Sequence, residues 1–336
     1  TSLNKKKYKR LSYSKLDQSM SKLLAWGLVI LILADCHAPS TEQAPLKVDN
    51  RLLLAAGELS HQSIILQCRF NQTDTLVDLD LAGISAQGYF EIATDSVFKE
   101  PLQTEILDAT SNNDYIIRKL ISGLKPAQKY YYRTIALVQG TGDYLSSHTG
   151  SFTTLPEPAN SSSVSFITST GFNYEKFYGI DKPATEVASE QDQLLGFEAF
   201  EAVNNLKPDF FVANGDVVYY DKPGNEDSEY YAKTKTQMQA KWHRYFAMPR
   251  NRDMMLKVPV FYQKDDHDYR FNDCDTTDQK KELPTHQDGM AVFREELPVV
   301  DLEDPDDKTY RTVRAGKLLQ VWFVEGRDYR SPNLME

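Results

Sequence analysis

The stretch that decides the fold is PDFFVANGDVVYYD, residues 208–221. It begins with a short apolar run, residues 210–213, whose length suits a buried strand. Asn214, Gly215 and Asp216 follow at the carboxyl end of this strand, the edge where open α/β sheets bind ligands. Gly215 leaves room for a close approach to the backbone, and Asp216 offers a hard oxygen ligand with Tyr219 three residues on. The alternative is an Asn-Gly-Asp turn that closes a core strand.

Two later strands end in similar residues. Residues 258–262 lead into Asp265-Asp266-His267-Asp268, and a predicted hairpin of residues 310–324 leads into Arg327-Asp328-Tyr329-Arg330. Grouped carboxylates at one sheet edge are costly unless cations neutralise them. Oxygen-rich ligands suit hard metals such as Ca²⁺, Mg²⁺, Mn²⁺ or Fe³⁺, and a Tyr219 phenolate would favour a strongly Lewis-acidic ion. Two metals that share a carboxylate suit in-line phosphoryl transfer.

The same strand ends supply acid and cation candidates. His267 could protonate a leaving alkoxide, with Asp268 or Asp265 fixing its tautomer. Arg327 or Arg330 could hold phosphate oxygens by a bidentate contact. Each piece alone also fits a solvated acidic loop or a surface charge cluster, so the prediction depends on their joint placement at successive strand ends.

Composition sets limits on the class of protein. A chain of 336 residues suggests two domains, with a third possible, and a hydrophobic content of 41% supports a sizeable core. The net charge of -10 argues against a nucleic-acid or anionic-membrane partner. It does not exclude a phosphorylated substrate, because bound metal ions can locally reverse the sign of the electrostatic potential.

The first 47 residues predict an export signal and a tether. A basic opening precedes an apolar run at residues 23–34, too short to span a bilayer and typical of a signal-peptide core. Met20 is interpreted as the start, with residues 1–19 upstream of it. Leu33-Ala34-Asp35-Cys36 resembles a bacterial lipobox, although Asp35 stands where a small residue is expected. This predicts lipidation at Cys36 and a periplasmic or outer-surface lipoprotein of the bacterial envelope. Ordinary secretion, or a buried helix with a basic leader, is the alternative.

The remaining chain divides into two regions with different predicted secondary structure. Residues 50–156 show short strands without helical period, which predicts a β-sandwich, and residues 157–163 form a Pro/Ser-rich linker. From residue 164 to residue 336, strands and helices alternate. One helix is predicted at residues 186–205 and another after a Ser228 cap, burying Tyr231, Met238, Trp242 and Tyr245 as core. Cys68 and Cys274 fall in different domains, so no disulfide between them is expected.

Two resemblances follow from these motifs. The Gly-Leu-Lys-Pro turn at residues 123–126, before Tyr130 and Tyr132, resembles the fibronectin type III family. Residues 215–219 match the Gly-Asp-x-x-Tyr block of the binuclear metallophosphatases. Asp265-Asp266-His267-Asp268 is similar to the Asp-Asp-His-Glu block of PhoD-like alkaline phosphatases, and residues 242–250 and 327–330 also look like PhoD-like blocks. The resemblance covers residues 50–336.

The resemblance implies an α+β multi-domain fold. An immunoglobulin or fibronectin III-like β-sandwich would precede a four-layer α/β/β/α metallophosphatase domain. It also implies hydrolysis of phosphomono- or diesters by a metal-bound hydroxide, with Fe³⁺ and Ca²⁺, or Mg²⁺, Mn²⁺ or Zn²⁺, as the ions. The roles it implies are a metal-bridging Asp216, Tyr219 and Asp266 as further metal ligands, and His267 as the acid. From the residues themselves we also predict Asp265 as a metal ligand and Asp268 and Arg330 as catalytic residues.

The sequence departs from the family in two places. Where the family has Ser-Cys, or Asp-x-His/Gly, this chain has Ser169-Thr170-Gly171, and Thr170 is a poor metal ligand that Asn173 could replace only weakly. The family's late histidine blocks, such as Gly-Asp-x-His, are expected beyond residue 336, so the chain is interpreted as C-terminally truncated. The alternatives are a non-catalytic surface binding lipoprotein with a degenerate phosphatase-like domain, and an enzyme acting on carbonates or other esters.

Overall fold

The computed structural model describes residues 46–137, 144–181, 187–277, 284–299 and 308–332. The leader, with Cys36, lies outside these residues. The strands are β1 (Lys47–Val48), β2 (Leu52–Gly57), β3 (Ile64–Phe70), β4 (Ala86–Ala93), β5 (Leu102–Gln103), β6 (Leu107–Ala109), β7 (Ile116–Ile121), β8 (Lys129–Leu137), β9 (Tyr144–Ser146), β10 (Gly150–Thr153), β11 (Phe166–Ser169), β12 (Phe210–Asn214), β13 (Val260–Gln263), β14 (Arg311–Ala315) and β15 (Leu319–Phe323). The helices are α1 (Tyr174–Phe177), α2 (Glu190–Leu195), α3 (Glu198–Leu206), α4 (Lys235–Ala247), α5 (Pro249–Met255) and α6 (His286–Glu296).

A six-stranded sheet runs through the middle of the fold. Its order is β11-β12-β13-β2-β3-β7. β11, β12 and β13 are parallel, whereas β3 is antiparallel to both β2 and β7. The two halves join where β13 pairs in parallel with β2, at Val260 and Gly57. A side chain at Gly57 would lie 2.5 Å from the Pro298 carbonyl oxygen, so this junction requires glycine.

A second, seven-stranded sheet covers one face of the first. It contains β1, β9, β8, β4 and β5, with β10 and β6 paired at its sides. Leu54 and Leu66 of the first sheet share a core with Phe90 and Tyr132 of the second. The β14–β15 hairpin adds Phe323 to the same core. The described residues therefore contain two β layers in contact.

The helices cover the other face of the six-stranded sheet. Phe211 and Ala213 of β12 point into a core with Trp242 of α4, Met254 of α5 and Phe293 of α6. Side chains alternate across a strand, so β12 supplies Phe210 and Val212 to the opposite core. This alternation makes the apolar run of the opening stretch a strand buried on both faces. The structure confirms an α+β fold of mixed sheets and helices.

The strands of the sandwich and of the parallel sheet agree with the sequence patterns, but two helix predictions were wrong. The helix predicted at residues 186–205 is broken into α2 and α3 at Gly196, whose φ is +93° and where a Cβ would lie 2.7 Å from the Met248 Cβ. The predicted cap Ser228 lies in a turn, and α4 begins after Thr234, whose side chain accepts from the Gln237 amide in a capping box. Tyr231, Met238, Trp242 and Tyr245 are buried as expected, although Tyr231 precedes the helix.

Two further predictions concern side chains of the β-sandwich and the cysteines. Tyr130 Oη accepts a hydrogen bond from the Lys125 amide at 2.9 Å, which is the geometry of a tyrosine corner. Cys68 and Cys274 are both buried free thiols.

Among the described residues, none of the helices has the length and apolarity to cross a membrane.

Candidate metal centre and active site

Parallel pairing brings three strand ends to one edge of the sheet. Ser169 is in register with Ala213, and Asn214 with Gln263, so β11, β12 and β13 end side by side. The segments that follow, around Thr170, Asp216 and Asp265, therefore meet at the carboxyl edge. The sequence placed the ends before Asp216, Asp265 and Arg327 at successive strands, but β15, which leads to Arg327, belongs to a separate two-stranded sheet.

The turn at Gly215 and Asp216 is fixed by contact with the next strand end. Both residues have positive φ, +78° and +52°. A Cβ at Gly215 would lie 2.5 Å from the Cβ of Asp265, so glycine lets the two acidic segments approach. Left-handed backbone at Asp216 is uncommon but best tolerated by Asp and Asn. It turns the Asp216 side chain toward the Asp265 segment.

The turn gathers a cluster of carboxylates. Oxygen atoms of Asp216, Asp265 and Asp266 all lie within 4.8 Å of one another. Asp216 Oδ2 accepts from Tyr219 Oη at 3.3 Å, whereas Asp216 Oδ1 is buried without a hydrogen-bond partner among the described residues. Burial raises the pKa of Asp216, and the charges of Asp266 and Asp265 add to the effect against the opposing field of His267. A cation at this cluster would satisfy the unpaired oxygen and relieve the repulsion.

One arginine already lies against this cluster. Arg327 contacts Asp265 Oδ1 with its Nη2 at 2.6 Å and its Nε at 3.0 Å, and Asp266 Oδ1 lies 3.2 Å from Nη2. The buried ammonium of Lys264 pairs with Asp328. One guanidinium cannot balance three carboxylates, so the cluster remains net negative.

His267 lies beside the cluster and is oriented by Asp221. Its Nδ1 is 2.7 Å from Asp221 Oδ1, and its ring packs on Tyr219 with centroids 4.4 Å apart. Burial opposes protonation, but the hydrogen bond and charge of Asp221, followed by the charges of Asp216 and Asp266, raise the pKa of His267. Within the described residues, no hydrogen bond engages Nε2, which leaves that nitrogen for a ligand.

The expectation that Asp268 or Asp265 fixes the His267 tautomer was wrong. The fully buried Asp268 carboxylate accepts from the backbone amides of Asp265, at 2.6 Å, and Val217, at 3.2 Å. Burial raises the pKa of Asp268 to about 8 despite these two hydrogen bonds. Asp268 therefore ties the β12 and β13 loops together, and Asp221 takes the orienting contact because its loop folds back over His267.

The first strand end contributes less than the other two. Thr170 Oγ1 donates to the Gly215 carbonyl at 2.8 Å, and the Asn173 side chain caps α1 by accepting from the Lys176 amide at 2.9 Å. Both side chains are thus engaged in local structure. Arg330 is held through its backbone, with its carbonyl accepting from Thr276 Oγ1 at 3.1 Å, and its catalytic role stays a prediction.

Sequence reasoning missed two features of this site. Asp221 closes the opening stretch, but its spacing from His267, 46 residues, gives no signal of contact. Arg327 was expected to hold phosphate, whereas its guanidinium is paired with Asp265 and Asp266.

The fold and this oxygen-rich cluster define an α+β protein of the metallophosphatase-like kind. Residues 184–336 match the family model described as PhoD-like phosphatase, and residues 37–156 match the model of the PhoD-like phosphatase N-terminal domain. Together the two segments take in well over half of the chain, which therefore belongs to the PhoD-like phosphatase family. No curated protein sequence matches the chain.

One solved structure supports this fold, and two others are less similar. The structure of PhoD superposes with a TM-score of 0.65 at 19% identity, covering 86% of this chain and 54% of that one. The chain thus spans about half the length of PhoD. Two less similar structures are the purple acid phosphatase PPD1 from yellow lupin (Lupinus luteus) seeds, with a TM-score of 0.48, 11% identity and coverages of 78% and 43%, and a fibronectin type III domain from human KIAA0970 protein, with a TM-score of 0.24, 11% identity and coverages of 34% and 80%.

Proposed function

We propose that this protein is a metal-dependent phosphoesterase that hydrolyses phosphomono- or diesters. The observation that carries the proposal is the buried, unpartnered Oδ1 of Asp216 inside a carboxylate cluster, next to a histidine held by Asp221. Membership of the PhoD-like phosphatase family supports the substrate class.

The donor set fits hard cations. Asp216, Asp265 and Asp266 offer carboxylate oxygens, and Tyr219 Oη lies close enough to Asp216 to join them. Such ligands suit Fe³⁺, Ca²⁺, Mg²⁺ or Mn²⁺ better than soft metals. When bound, the ions would neutralise phosphoryl oxygens and activate the attacking water.

The residues of the chain supply the remaining chemistry. His267 Nε2 donates a proton to the leaving oxygen, because Asp221 holds Nδ1 and favours the imidazolium form. Arg327 holds Asp265 and Asp266 in place against their mutual repulsion. Asp268 fixes the distance between the two loops through its backbone contacts.

The test combines metal content with turnover in the full-length protein. Wild-type protein should retain metal after dialysis and hydrolyse aryl phosphate mono- or diesters, whereas Asp216→Asn should lose both. Asp209→Asn is the matched control, because that carboxylate lies at the opposite end of β12, where it accepts from Ser165. Unchanged metal content and unchanged turnover in Asp216→Asn would contradict the assignment of Asp216 as a metal ligand.

A non-catalytic surface protein is the second candidate. It is favoured by Thr170 and Asn173, whose side chains are engaged in local hydrogen bonds at the place of the family's first metal block. This candidate function requires metal binding, or phosphate-ester binding, without turnover. Single-turnover assays with excess protein separate it from slow catalysis.

We also infer that the protein is exported, with Cys36 as a lipidated anchor to the bacterial envelope. The support is the basic leader, the short apolar run and the lipobox-like residues 33–36. Labelling with a radioactive fatty acid should mark wild-type protein and not Cys36→Ala. Label retained in the variant would contradict the anchor.

The β-sandwich is proposed to be of the fibronectin type III kind, as a domain of residues 50–156 before a catalytic domain of residues 164–336. The Tyr130 corner supports it. Tyr130→Phe removes one hydrogen bond to the Lys125 amide, and we expect a loss of about 1 kcal/mol in the free energy of unfolding.

A further inference from the structure

A second cluster of ligand-type side chains lies away from the carboxylate cluster. Asp114, from the loop before β7, His243 of α4 and Glu296 of α6 are all buried, and each places one ligand atom within 4.8 Å of the others. His243 Nε2 is 2.6 Å from Asp114 Oδ2 and 3.7 Å from Glu296 Oε2. We call Asp114, His243 and Glu296 the interlayer cluster.

Glu296 gives the independent sign of a ligand. Its side chain is fully buried, and neither Oε1 nor Oε2 has a hydrogen-bond partner within the described residues. Oε2 faces His243 Nε2. Burying an ionised carboxylate without hydrogen-bond donors costs several times the free energy that one hydrogen bond contributes. Such a group is therefore expected to be protonated or to bind a cation.

The distances are near those of a tetrahedral site, but an ion would have to replace the hydrogen bond between His243 Nε2 and Asp114 Oδ2. Zinc bound by a histidine nitrogen and a carboxylate oxygen holds those two atoms about 3.4 Å apart, given metal–ligand distances of roughly 2.0–2.2 Å. The observed spacings of 2.6 and 3.7 Å lie on either side of that value. Small side-chain rotations of Asp114 and Glu296 would therefore seat an ion between the three atoms.

The surroundings hold the ligands as metal sites do. His243 Nδ1 contacts Asp80 Oδ1 at 2.5 Å, so a carboxylate fixes the ring with Nε2 facing the cluster. Arg69 fixes Asp114 through Nε at 2.8 Å and Nη2 at 3.0 Å. A cavity of about 10 Å³ lies next to Glu296 and Arg69 and is just large enough for one water, although His243 and Asp114 do not line it.

The negative charge of the carboxylates in this region would also favour a bound cation. Asp80, Asp114 and Glu296 bring three carboxylates, of which Asp114 pairs with the Arg69 guanidinium and all three lie near His243. Arg118 is a second guanidinium whose charge acts on Glu296. Without a bound ion, the cluster must be balanced by protons on His243 or Glu296. The two states, protonated and metal-bound, are what an experiment has to separate.

We propose that the interlayer cluster is a structural zinc site that joins the β-sandwich to helices α4 and α6. It is separate from the proposed catalytic centre and does not depend on the proposed function. The ion would cross-link three segments that are remote in the chain, since Asp114 and His243 are 129 residues apart.

The test uses the full-length protein with the carboxylate cluster disabled by Asp216→Asn and Asp266→Asn. After chelation and dialysis, this background should bind one equivalent of zinc, measured by plasma mass spectrometry, and zinc should raise its melting temperature. Co²⁺ in its place should give the visible spectrum of a tetrahedral site. No bound zinc in a folded background would overturn the proposal.

Matched variants locate the ion. Adding Glu296→Gln should weaken zinc binding at least 100-fold, whereas adding Glu175→Gln, another fully buried carboxyl, should not change it. Equal zinc affinity with and without Glu296→Gln would contradict the site. Should Glu296→Gln fail to fold, Asp80→Asn decides, because it spares all three ligands. We expect a 10- to 100-fold weaker zinc affinity there, and an unchanged affinity would overturn the proposal.

Discussion

Substituting two glycines that share one backbone conformation distinguishes the effect of backbone strain from an effect on the proposed metal site. Gly215 and Gly123 have φ of +78° and +76°, but of the two only Gly215 has a neighbour, Asp265, within 4 Å of the place that a Cβ would occupy. Gly123→Ala should lower the free energy of unfolding by about 1–2 kcal/mol through backbone strain alone. Gly215→Ala should cost a further 1–3 kcal/mol, roughly the penalty of overpacking, and push Asp265 away from Asp216 and Asp266.

Urea unfolding and metal content check this pair. Gly123→Ala should keep its metal, and Gly215→Ala should lose it. Equal stability loss in both variants, with metal retained in both, would show that the contact with Asp265 is not needed.

The role of His267 as an acid predicts a dependence on the leaving group. His267→Gln should slow hydrolysis of alkyl phosphates about 10²- to 10⁴-fold, the usual worth of general acid catalysis. Nitrophenyl phosphates should be much less affected, because their leaving oxygen needs no proton. His148→Gln, on an exposed histidine that contacts Asn50, is the control. An equal loss on both substrates would point to a structural role.

The Asp221 contact predicts a shift in the pH profile. A raised His267 pKa means that the acid form persists above its ordinary range and is lost as pH rises through the raised value. Asp221→Asn removes the charge that favours the imidazolium, so the alkaline limb of kcat should move to lower pH. The rate well below that limb should change less. A limb that stays in place would show that another group controls it.

At the scale of elements, the end of α6 depends on a neighbouring strand. Arg118 of β7 donates to the carbonyls of Arg294 and Glu295 at 2.7 and 2.6 Å, and Gln67 of β3 donates to that of Glu296 at 2.6 Å. The last carbonyls of a helix lack intrahelical donors. The sheet therefore supplies the missing donors and cations at the negative end of the helix dipole.

Arg118→Met should lower the free energy of unfolding by about 2–4 kcal/mol, because charge-assisted hydrogen bonds to buried carbonyls are lost. Lys119→Met is the control in the same strand, since Lys119 pairs with the exposed Glu105. An exposed pair is worth about 1 kcal/mol or less. Denaturant titration measures both, and equal losses would deny the capping role.

Local patterns were sufficient for elements whose signal lies within a few residues. β3, β8, β12 and the β14–β15 hairpin follow from alternating or apolar runs, and the Asp216 and Asp265 strand ends follow from their polar residues. The break between α2 and α3 does not follow, because Met248 of a distant helix end sets the close approach at Gly196. The Asp221–His267 contact and the β2–β13 pairing are equally long-range, so no window of the sequence contains them.

At the scale of the molecule, the continuous sheet predicts cooperative unfolding. β2 supplies residues to both cores, such as Leu53 and Leu54, which point to opposite faces. Neither the β-sandwich nor the parallel sheet can open without exposing the other's core. Far-ultraviolet circular dichroism and tryptophan fluorescence should give one coincident urea transition, and two separated transitions would contradict this coupling.

The Val260–Gly57 pairing also sets an order of events during synthesis. β2 leaves the ribosome roughly 200 residues before β13, which at about 5–20 residues per second is a delay of some 10–40 s. During that time β2 presents an unpaired, apolar edge, the kind of strand that recruits other chains. Nascent chains in which β13 has not yet emerged from the ribosome should therefore bind chaperones more strongly than longer chains in which β13 lies outside it, because only the latter can close the sheet on themselves.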